Sequence, residues 1–297
     1  MPERVIAIIF DCDDTLCPDT ISFMLQNYGL SPEEFWRDID TRVRLGWDPP
    51  HAYMNRILEL VHEGRLGDLT RSNLIALGGR LPLFAGLPDA FIELRNFVKD
   101  DPELSNARVT LEFYIVSGGL EEMIRGSALG SHADGIFGCN FEHDSKTDLP
   151  FAVKSTVSFT EKTRFVFAIH KGVSAQDART NPYLVNDAIP DKERRIPIKN
   201  MVYVGDGPSD IPCLSLITKG GGEGIGVSPA TGTFAKAYEM ARGERISVGP
   251  YTADYRSGTD MRKALKQIIL TKGLELAVEA RKHVVPAPRH GGNQTKR

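Results

Sequence analysis

Cysteine is scarce in the 297-residue sequence, which has four. They form no Cys-x-x-Cys pair and show no zinc-like spacing with histidine, so the sequence predicts neither a disulfide framework nor a structural zinc site. The four are Cys12, Cys17, Cys139 and Cys213. We expect reduced thiols and therefore a cytoplasmic protein.

Long apolar runs and blocks of basic residues are also missing. No stretch approaches the ~18 apolar residues of a transmembrane helix, and Arg4 is the one basic residue before the first apolar run, so neither a membrane span nor a signal peptide is predicted. The formal net charge of -3 offers no general attraction to nucleic acid or to an acidic membrane. With 41% hydrophobic and 25% charged residues, the composition is typical of a soluble globular protein, and we expect a small-molecule partner.

The first apolar run, Val5 to Phe10, is rich in Ile and too short for an ordinary helix, which predicts a strand buried on both faces. Asp11 and Asp13 follow it directly. Because side chains alternate along a strand, these two carboxylates are expected on the same side of its carboxyl end. In open α/β sheets this end is where ligands bind.

Two later strands are also predicted to end in polar residues. The strand 109–116 stops at Ser117-Gly118-Gly119, where a helix over 120–129 begins, and this arrangement offers a hydroxyl and free N–H groups to an anion. The strand 201–204 stops at Gly205-Asp206-Gly207-Pro208-Ser209-Asp210. If the three strands are neighbours, at least four carboxylates meet in one crevice. Oxygen ligands without histidine favour Mg²⁺ over Zn²⁺, and Mg²⁺ commonly keeps a phosphate as a further ligand.

Residues 18–81 contain successive helix signals and no further strand-like run. Ser31-Pro32-Glu33-Glu34 is a capping box with Pro at the first helical position, a second helix follows Pro49-Pro50, and Thr70 can cap a third. We interpret this segment as an all-helical domain inserted after the first strand.

The main domain is predicted to comprise residues 1–17 and 82–283. Strands and helices alternate in it, which favours an α/β fold with a Rossmann-like parallel sheet covered by helices on both faces. Three further short strands are predicted at 136–141, 153–159 and 225–228, the last of them being the final strand. Residues 174–199 are predicted to be an irregular surface insertion. Residues 284–297 are predicted to be a disordered tail.

Four motifs follow one another along the chain. They are Asp11-x-Asp13-x-Thr15, Ser117 behind an apolar strand, Lys162 at the start of a helix, and Gly205-Asp206-Gly207-Pro208-Ser209-Asp210. In this order they resemble the motifs of the haloacid dehalogenase superfamily, and in particular those of its phosphoserine-phosphatase-like phosphatases. Lys162 is preferred to Lys154 and Lys171 because it opens a helix after a strand, as the family pattern requires. The resemblance covers the main domain, and the inserted helices resemble the family's mobile cap.

The resemblance implies chemical roles for the residues of the first motif. Asp11 is expected to be the nucleophile and a Mg²⁺ ligand. Asp13 is expected to protonate the leaving oxygen, then to activate water, while its backbone carbonyl binds the metal. Thr15 is expected to support the turn at the strand end. Asp14 stands where the family often has a small residue, and it has no assigned role.

The resemblance also implies binding roles for the later motifs. Ser117 and Gly118 are expected to hold the phosphate, and Lys162 is expected to pair with the phosphate and with the nucleophile. Asp206 is expected to bind the metal, and Asp210 to fix a metal-bound water.

These roles imply a Mg²⁺-dependent phosphatase that hydrolyses a small phosphomonoester through an aspartyl-phosphate intermediate. A helical cap that closes over the pocket favours a small phosphorylated metabolite as the substrate. Seven cap residues are candidates for recognising the leaving group: Trp36, Arg42, Arg44, Trp47, His51, Tyr53 and Arg56.

Other functions remain open at this point. One is a phosphomutase or another phosphotransferase of the same superfamily, and another is a non-catalytic protein that binds a phosphorylated ligand. A dehalogenase is disfavoured because that chemistry has no use for a general acid at Asp13. An EF-hand calcium loop starting at Asp11 is excluded because Leu16 and Ser22 stand where Gly and Glu are needed.

Overall fold

The computed structural model describes residues 3–230, 235–243 and 245–282. Its strands are β1 Val5–Phe10, β2 Thr110–Leu120, β3 Gly135–His143, β4 Pro150–Ser155, β5 Met201–Gly205, β6 Glu223–Ser228 and β7 Val248–Thr252. They form one seven-stranded sheet in the order β4-β3-β2-β1-β5-β6-β7. All neighbours pair in parallel except β3 and β4, which are antiparallel. The predicted α/β fold with a parallel sheet is therefore confirmed, with one antiparallel strand, β4, at its edge.

Helices connect these strands and cover both faces of the sheet. They are α1 Thr20–Asn27, α2 Pro32–Arg44, α3 Pro49–His62, α4 Arg71–Gly78, α5 Asp89–Asp100, α6 Pro102–Asn106, α7 Glu121–Gly126, α8 Phe159–Lys171, α9 Ala175–Thr180, α10 Ile211–Lys219, α11 Ala235–Arg242 and α12 Asp260–Lys282. Across the three described ranges, none of them is both long and apolar enough to cross a membrane.

Strand β1 lies at the centre of the sheet and is buried on both faces, as predicted from its apolar run. Its side chains divide between two buried clusters. Ala7 and Ile9 belong to the cluster on one face, while Ile8 and Phe10 belong to the cluster on the other. Phe10 stacks on Phe91 of α5, with ring centroids 5.3 Å apart. The strand that carries the acidic residues is thus fixed from both sides.

The three helices predicted between residues 18 and 81 are present. Two of them, α2 and α4, begin after the predicted caps Ser31 and Thr70, whereas α3 begins at Pro49 rather than after Pro49-Pro50. The side chains of Ser31, Asp48 and Thr70 accept hydrogen bonds from backbone N–H groups in the first turns of α2, α3 and α4. An additional helix, α1, is capped by Asp19. The apolar side chains of this segment join the same buried cluster as those on one face of β2 and β3. The division of the chain into a main domain and a helical domain remains a prediction.

The two edges of the sheet differ from the predictions. The strand predicted at 153–159 lies earlier in the chain, as β4. The strand predicted at 225–228 is not the final one, because β7 follows it and pairs in parallel with β6. β7 contains Gly249-Pro250, a pair that normally indicates a turn. At the edge of a sheet the missing N–H of proline is tolerated, since one side of an edge strand has no ladder to complete.

The prediction of an irregular insertion over 174–199 is wrong in part. The helix α9 forms there because Ser174 caps it and accepts a hydrogen bond from the N–H of Asp177. Ile196 is fully buried and anchors the end of the insertion to the core. The predicted tail, 284–297, lies outside the described residues.

Two glycines bring α4 of the helical segment close to α7, the helix that follows β2. A Cβ at Gly78 of α4 would overlap with the carbonyl of Met123 in α7, and a Cβ at Gly126 of α7 would overlap with the carbonyl of Ile75 in α4. These helices therefore approach each other with backbone against backbone, a distance that a larger residue does not permit.

Gly126→Ala is expected to lower the free energy of unfolding by about 1–3 kcal/mol, because the added methyl group forces α4 away from α7. Chemical denaturation measures this loss. The matched control is Gly79→Ala, where a methyl group would lie at ordinary distances of 3.4 and 3.7 Å from the nearest backbone oxygens. Equal losses in the two variants would show that the close approach of these helices is not what requires glycine.

Candidate active site

The carboxyl ends of β1, β2 and β5 meet at one edge of the sheet because these strands are direct neighbours. Asp11 follows β1, Asp206 follows β5, and Ser117 lies near the end of β2. The backbone N–H of Asp11 donates to the carbonyl of Val204 at 2.9 Å. Strand β1 therefore stays paired with β5 up to its acidic residue. Three segments that are far apart in the sequence are brought together in this way.

Lys162 lies between two of the acids. It stands in the first turn of α8, is 2% exposed, and has its ammonium group 2.9 Å from Asp11 Oδ1 and 2.8 Å from Asp210 Oδ1. The two other lysines considered for this role, Lys154 and Lys171, have partners elsewhere. Lys154 pairs with a glutamate of β3, and Lys171 donates to two backbone carbonyls beyond α9. The geometry therefore agrees with the choice of Lys162 from the sequence.

Asp210 is held by a network that uses both of its carboxylate oxygens. Oδ1 accepts hydrogen bonds from Lys162 and from the hydroxyl of Tyr203, each at 2.8 Å, and Oδ2 accepts from the N–H of Gly207 at 3.3 Å. Gly205 leaves room for this carboxylate, because a Cβ there would overlap with it. Tyr203 was not predicted from the sequence. The signal that points to it is strand alternation, which places it on the same side of β5 as Gly205.

The acids carry more negative charge than Lys162 can offset. Burial, followed by repulsion from Asp210, raises the pKa of Asp11 to about 7, although the lysine acts in the opposite direction. Burial and the neighbouring carboxylates also raise the pKa of Asp206 to about 8 and that of Asp13 to about 8. Burial alone would lower the pKa of Lys162, but the two adjacent acids outweigh it and raise that pKa.

The chemistry of this donor set fits a divalent cation. One carboxylate oxygen from each of Asp11, Asp206 and Asp210 lies within 4.8 Å of the others. Oxygen donors of this kind suit a hard ion such as Mg²⁺. The three negative charges exceed the single charge of Lys162, and a divalent cation would offset the excess. Because hydrogen bonds already occupy both oxygens of Asp210, Asp11 and Asp206 are the better placed ligands.

Asp13 points away from this cluster and toward the helical segment. Its Oδ1 accepts a hydrogen bond from the backbone N–H of Thr20, the first residue of α1, at 2.7 Å. Its Oδ2 lies 3.5 Å from the hydroxyl of Ser117. The carboxyl group is thus held between α1 and β2. The two acids Asp11 and Asp13 therefore have different partners.

Ser117-Gly118-Gly119 does not form the helix N-terminus predicted from the sequence. Strand β2 continues through Leu120, and its register against β3 shifts between Val116 and Leu120. The helix that follows, α7, begins at Glu121 and is shorter than predicted. The hydroxyl of Ser117 is held instead by the N–H of Gly119, which donates to it at 2.9 Å. The two glycines let the strand continue through an irregular register, which the sequence pattern did not reveal.

Thr15 supports the turn after β1 with its backbone. Its N–H donates to the carbonyl of Cys12, and its carbonyl accepts a hydrogen bond from the hydroxyl of Tyr255 at 2.8 Å. Tyr255 is nearly fully buried and was not found from the sequence, because it lies 240 residues away. The neighbouring Asp14 adopts a positive φ of 56°, and its N–H donates to the carbonyl of Cys17.

The seven residues predicted to recognise the leaving group differ from one another in position and in contacts. Tyr53 reaches the end of β2, where its hydroxyl donates to the carbonyl of Gly118 at 2.6 Å. Arg42 and Arg56 pair with acids inside the helical segment, and His51 lies 3.2 Å from Asp48. The indole of Trp36 packs edge-on against Tyr53. Trp47 and Arg44 are exposed.

Mg²⁺ is expected to stabilise the protein more at about pH 9 than at about pH 6. The raised pKa values of Asp11, Asp13 and Asp206 mean that the metal-free fold binds extra protons, so the stability that these groups contribute is lost progressively as the pH rises from about 4, the ordinary pKa of aspartate, to about 7 to 8. The cation requires the ionised carboxylates of Asp11 and Asp206, and its contribution therefore grows over the same interval. The shift of the thermal midpoint between Mg²⁺ and a chelator measures this effect.

Asp206→Asn is the matched variant for this measurement, and it is expected to lose most of the shift. A shift that is as large at about pH 6 as at about pH 9, or that persists in Asp206→Asn, would contradict a cation held by these carboxylates.

No family model matches the chain. An uncharacterized protein of Borreliella burgdorferi is 29% identical over 236 residues, in a match that covers 72% of this chain and 79% of that protein. A structure described as a phospho-aspartyl intermediate analogue of phosphoserine phosphatase is 17% identical, covers 89% of this chain and 99% of its own, and has a TM-score of 0.52. An unliganded probable phosphoserine phosphatase from Vibrio cholerae is 17% identical. The match covers 96% of this chain and 69% of that chain and has a TM-score of 0.53. At this identity the likeness shows the fold alone, and the chain has the fold of the haloacid dehalogenase-like hydrolases in the form found in phosphoserine phosphatases.

Proposed function

We propose that the protein is a Mg²⁺-dependent phosphatase that hydrolyses a small phosphomonoester through an aspartyl-phosphate on Asp11. The observation that carries the proposal is the buried pair of Asp11 and Lys162, 2.9 Å apart, within a cluster of acids at the carboxyl edge of the sheet. The fold supports it, and so do the structural relatives described as phosphoserine phosphatases.

Asp11 is the proposed nucleophile. Its carboxylate attacks phosphorus, the bond from phosphorus to the leaving oxygen breaks, and an aspartyl-phosphate forms. A carboxylate that approaches a phosphate dianion meets a repulsion of roughly 4 kcal/mol for each charge at about 4 Å and an effective dielectric of 20. Lys162 offsets part of this repulsion because its ammonium group lies beside Asp11 and is almost fully buried.

Asp13 is the proposed general acid and base. With a pKa of about 8 it carries a proton at neutral pH, and it gives this proton to the leaving oxygen. The carboxylate that results takes a proton from water, whose oxygen attacks phosphorus and breaks the bond to Asp11. Inorganic phosphate leaves, and both aspartates return to their first states. The N–H of Thr20 holds Asp13 in place throughout.

The metal and phosphate ligands are assigned on the same basis. When bound, Mg²⁺ supplies positive charge that lowers the pKa of the nucleophile and offsets the charge of the phosphate. Asp11 and Asp206 would hold it with their carboxylates, and Asp13 with its backbone carbonyl. Asp210 holds Lys162. Ser117 and Gly118 are the proposed phosphate ligands.

The proposed substrate is a small phosphorylated metabolite. The inserted helices of residues 18–81 pack against the same face of the sheet that carries the end of β2, and we propose that they form a cap that excludes bulky substrates. The four free, buried cysteines accord with a cytoplasmic enzyme.

Asp11→Asn is expected to reduce the turnover of p-nitrophenyl phosphate in the presence of Mg²⁺ by about a thousandfold or more, because an amide cannot form the intermediate. The thermal midpoint is measured alongside, to show that the loss is not caused by unfolding. Asp14→Asn, the same change in the same loop, is expected to lose far less. Wild-type turnover in Asp11→Asn would refute the assignment of the nucleophile.

Asp13→Asn is expected to release about one equivalent of p-nitrophenol rapidly and then to turn over about 10²–10⁴-fold more slowly than the wild type. The first step survives because p-nitrophenolate leaves without a proton, whereas the second step lacks its base. Stopped-flow absorbance measures both phases. An alkyl phosphate is the matched substrate, and it is expected to show no rapid phase because an alkoxide requires the proton. A slow reaction of p-nitrophenyl phosphate without a rapid phase would contradict this division of roles.

A further inference from the structure

The peptide group between Gly118 and Gly119 is hydrogen-bonded on both sides. Its carbonyl, on Gly118, accepts a hydrogen bond of 2.6 Å from the hydroxyl of Tyr53. Its N–H, on Gly119, donates to the hydroxyl oxygen of Ser117 at 2.9 Å. Tyr53 belongs to α3, 65 residues earlier in the chain. One side chain of the inserted helices thus fixes the plane of a peptide group at the proposed phosphate site.

We propose that Tyr53 is a positioning residue, which orients the hydroxyl of Ser117 toward the phosphate by fixing the Gly118–Gly119 peptide group. This inference rests on the proposed function. A serine hydroxyl has one proton to donate. Because the oxygen of Ser117 already accepts from Gly119, its own proton points away from that N–H and toward Asp13, to whose Oδ2 the hydroxyl donates at 3.5 Å.

The position of Tyr53 is itself restrained. The side chain is 8% exposed, and its ring packs edge-on against Trp36, with centroids 5.8 Å apart. The indole N–H of Trp36 donates to the hydroxyl of Ser22 in α1 at 2.9 Å. The phenol hydroxyl also lies 3.6 Å from Cys139 Sγ, and the contacts between three helices hold it beside this sulfur and the Gly118 carbonyl. Such restraint is what a residue needs if it is to fix a peptide plane.

Glycine is required at the peptide group for a related reason. A Cβ at Gly118 would lie 3.1 Å from the hydroxyl of Tyr53, and a Cβ at Gly119 would overlap with the hydroxyl of Thr20 and come within 3.1 Å of Asp13 Oδ2. Side chains of the inserted segment thus approach both glycines closely. The absence of side chains lets Tyr53 reach the carbonyl and lets Asp13 approach Ser117.

The test compares Tyr53→Phe with Tyr114→Phe. Both tyrosines are 8% exposed and both donate a hydrogen bond of 2.6 Å, but Tyr114 donates to Glu112 of its own strand. Tyr53→Phe is expected to raise two constants about fivefold: the Kd for inorganic phosphate in the presence of Mg²⁺, and the KM for p-nitrophenyl phosphate. A net hydrogen-bond contribution of about 1 kcal/mol corresponds to this factor. The kcat is expected to change by less than about twofold, since the lost contact acts on binding. Tyr114→Phe is expected to change neither Kd nor KM.

A double-mutant cycle with Ser117→Ala tests whether Tyr53 acts through the serine. In that background Tyr53→Phe is expected to have no further effect on the Kd for phosphate, whereas two independent contributions would multiply. Calorimetry gives the Kd of all four proteins.

Each outcome is decisive. If the wild type hydrolyses phosphomonoesters and Tyr53→Phe keeps the wild-type Kd and KM, the inference is overturned and the proposed function stands. If the wild type binds phosphate without hydrolysis and Tyr53→Phe binds it more weakly, the proposed function fails and the inference stands. If the wild type neither binds phosphate nor hydrolyses its esters, both are overturned. Independent effects in the cycle would refute action through Ser117.

Discussion

A buried lysine between two aspartates is the interaction on which the rest of the structure depends. An ammonium group that is 2% exposed is costly unless it is paired, so α8 must stay where its first turn meets Asp11 and Asp210. Those acids follow β1 and β5, and the lysine therefore ties two strands and a helix to one point. Removing one partner from a buried pair of charges typically costs about 3–5 kcal/mol, because the other charge is left uncompensated.

The same cluster explains why this edge of the sheet suits a cation. Asp206 adds a further carboxylate near Asp11. Burial raises the pKa of both groups, and so does repulsion, which comes from Asp210 at Asp11 and from Asp11 and Asp210 at Asp206. When no cation is bound, protons on these carboxylates neutralise the excess negative charge. A bound cation would replace these protons and leave Asp11 ionised, which is the state that the proposed attack on phosphorus requires. The local arrangement is unfavourable by itself and becomes favourable through binding, as is expected of a functional site.

Much of this arrangement follows from the sequence, because apolar runs followed by acids or by Ser-Gly-Gly mark strand ends and parallel strands align their ends. That logic placed Asp11, Asp206 and Ser117 at one edge, and a lysine in the first turn of a helix completed the group. It did not find Tyr203 or Tyr255, whose partners depend on packing between distant segments. It placed Ser117 before a helix rather than within a strand, since two glycines permit either conformation. Strand β7 was missed because the effect of its proline depends on whether the strand lies at the edge of the sheet.

The inserted helices contribute to the site in two ways that differ physically. The N–H of Thr20, the first residue of α1, donates to Asp13 across seven residues of the chain. The hydroxyl of Tyr53 holds Gly118 across 65 residues, and any displacement of α3 from β2 breaks that bond. The position of Asp13 thus depends on where α1 begins, and the geometry at Ser117 depends on where α3 packs. Both proposed steps, proton transfer by Asp13 and phosphate binding at Ser117, would therefore respond to a displacement of the inserted helices.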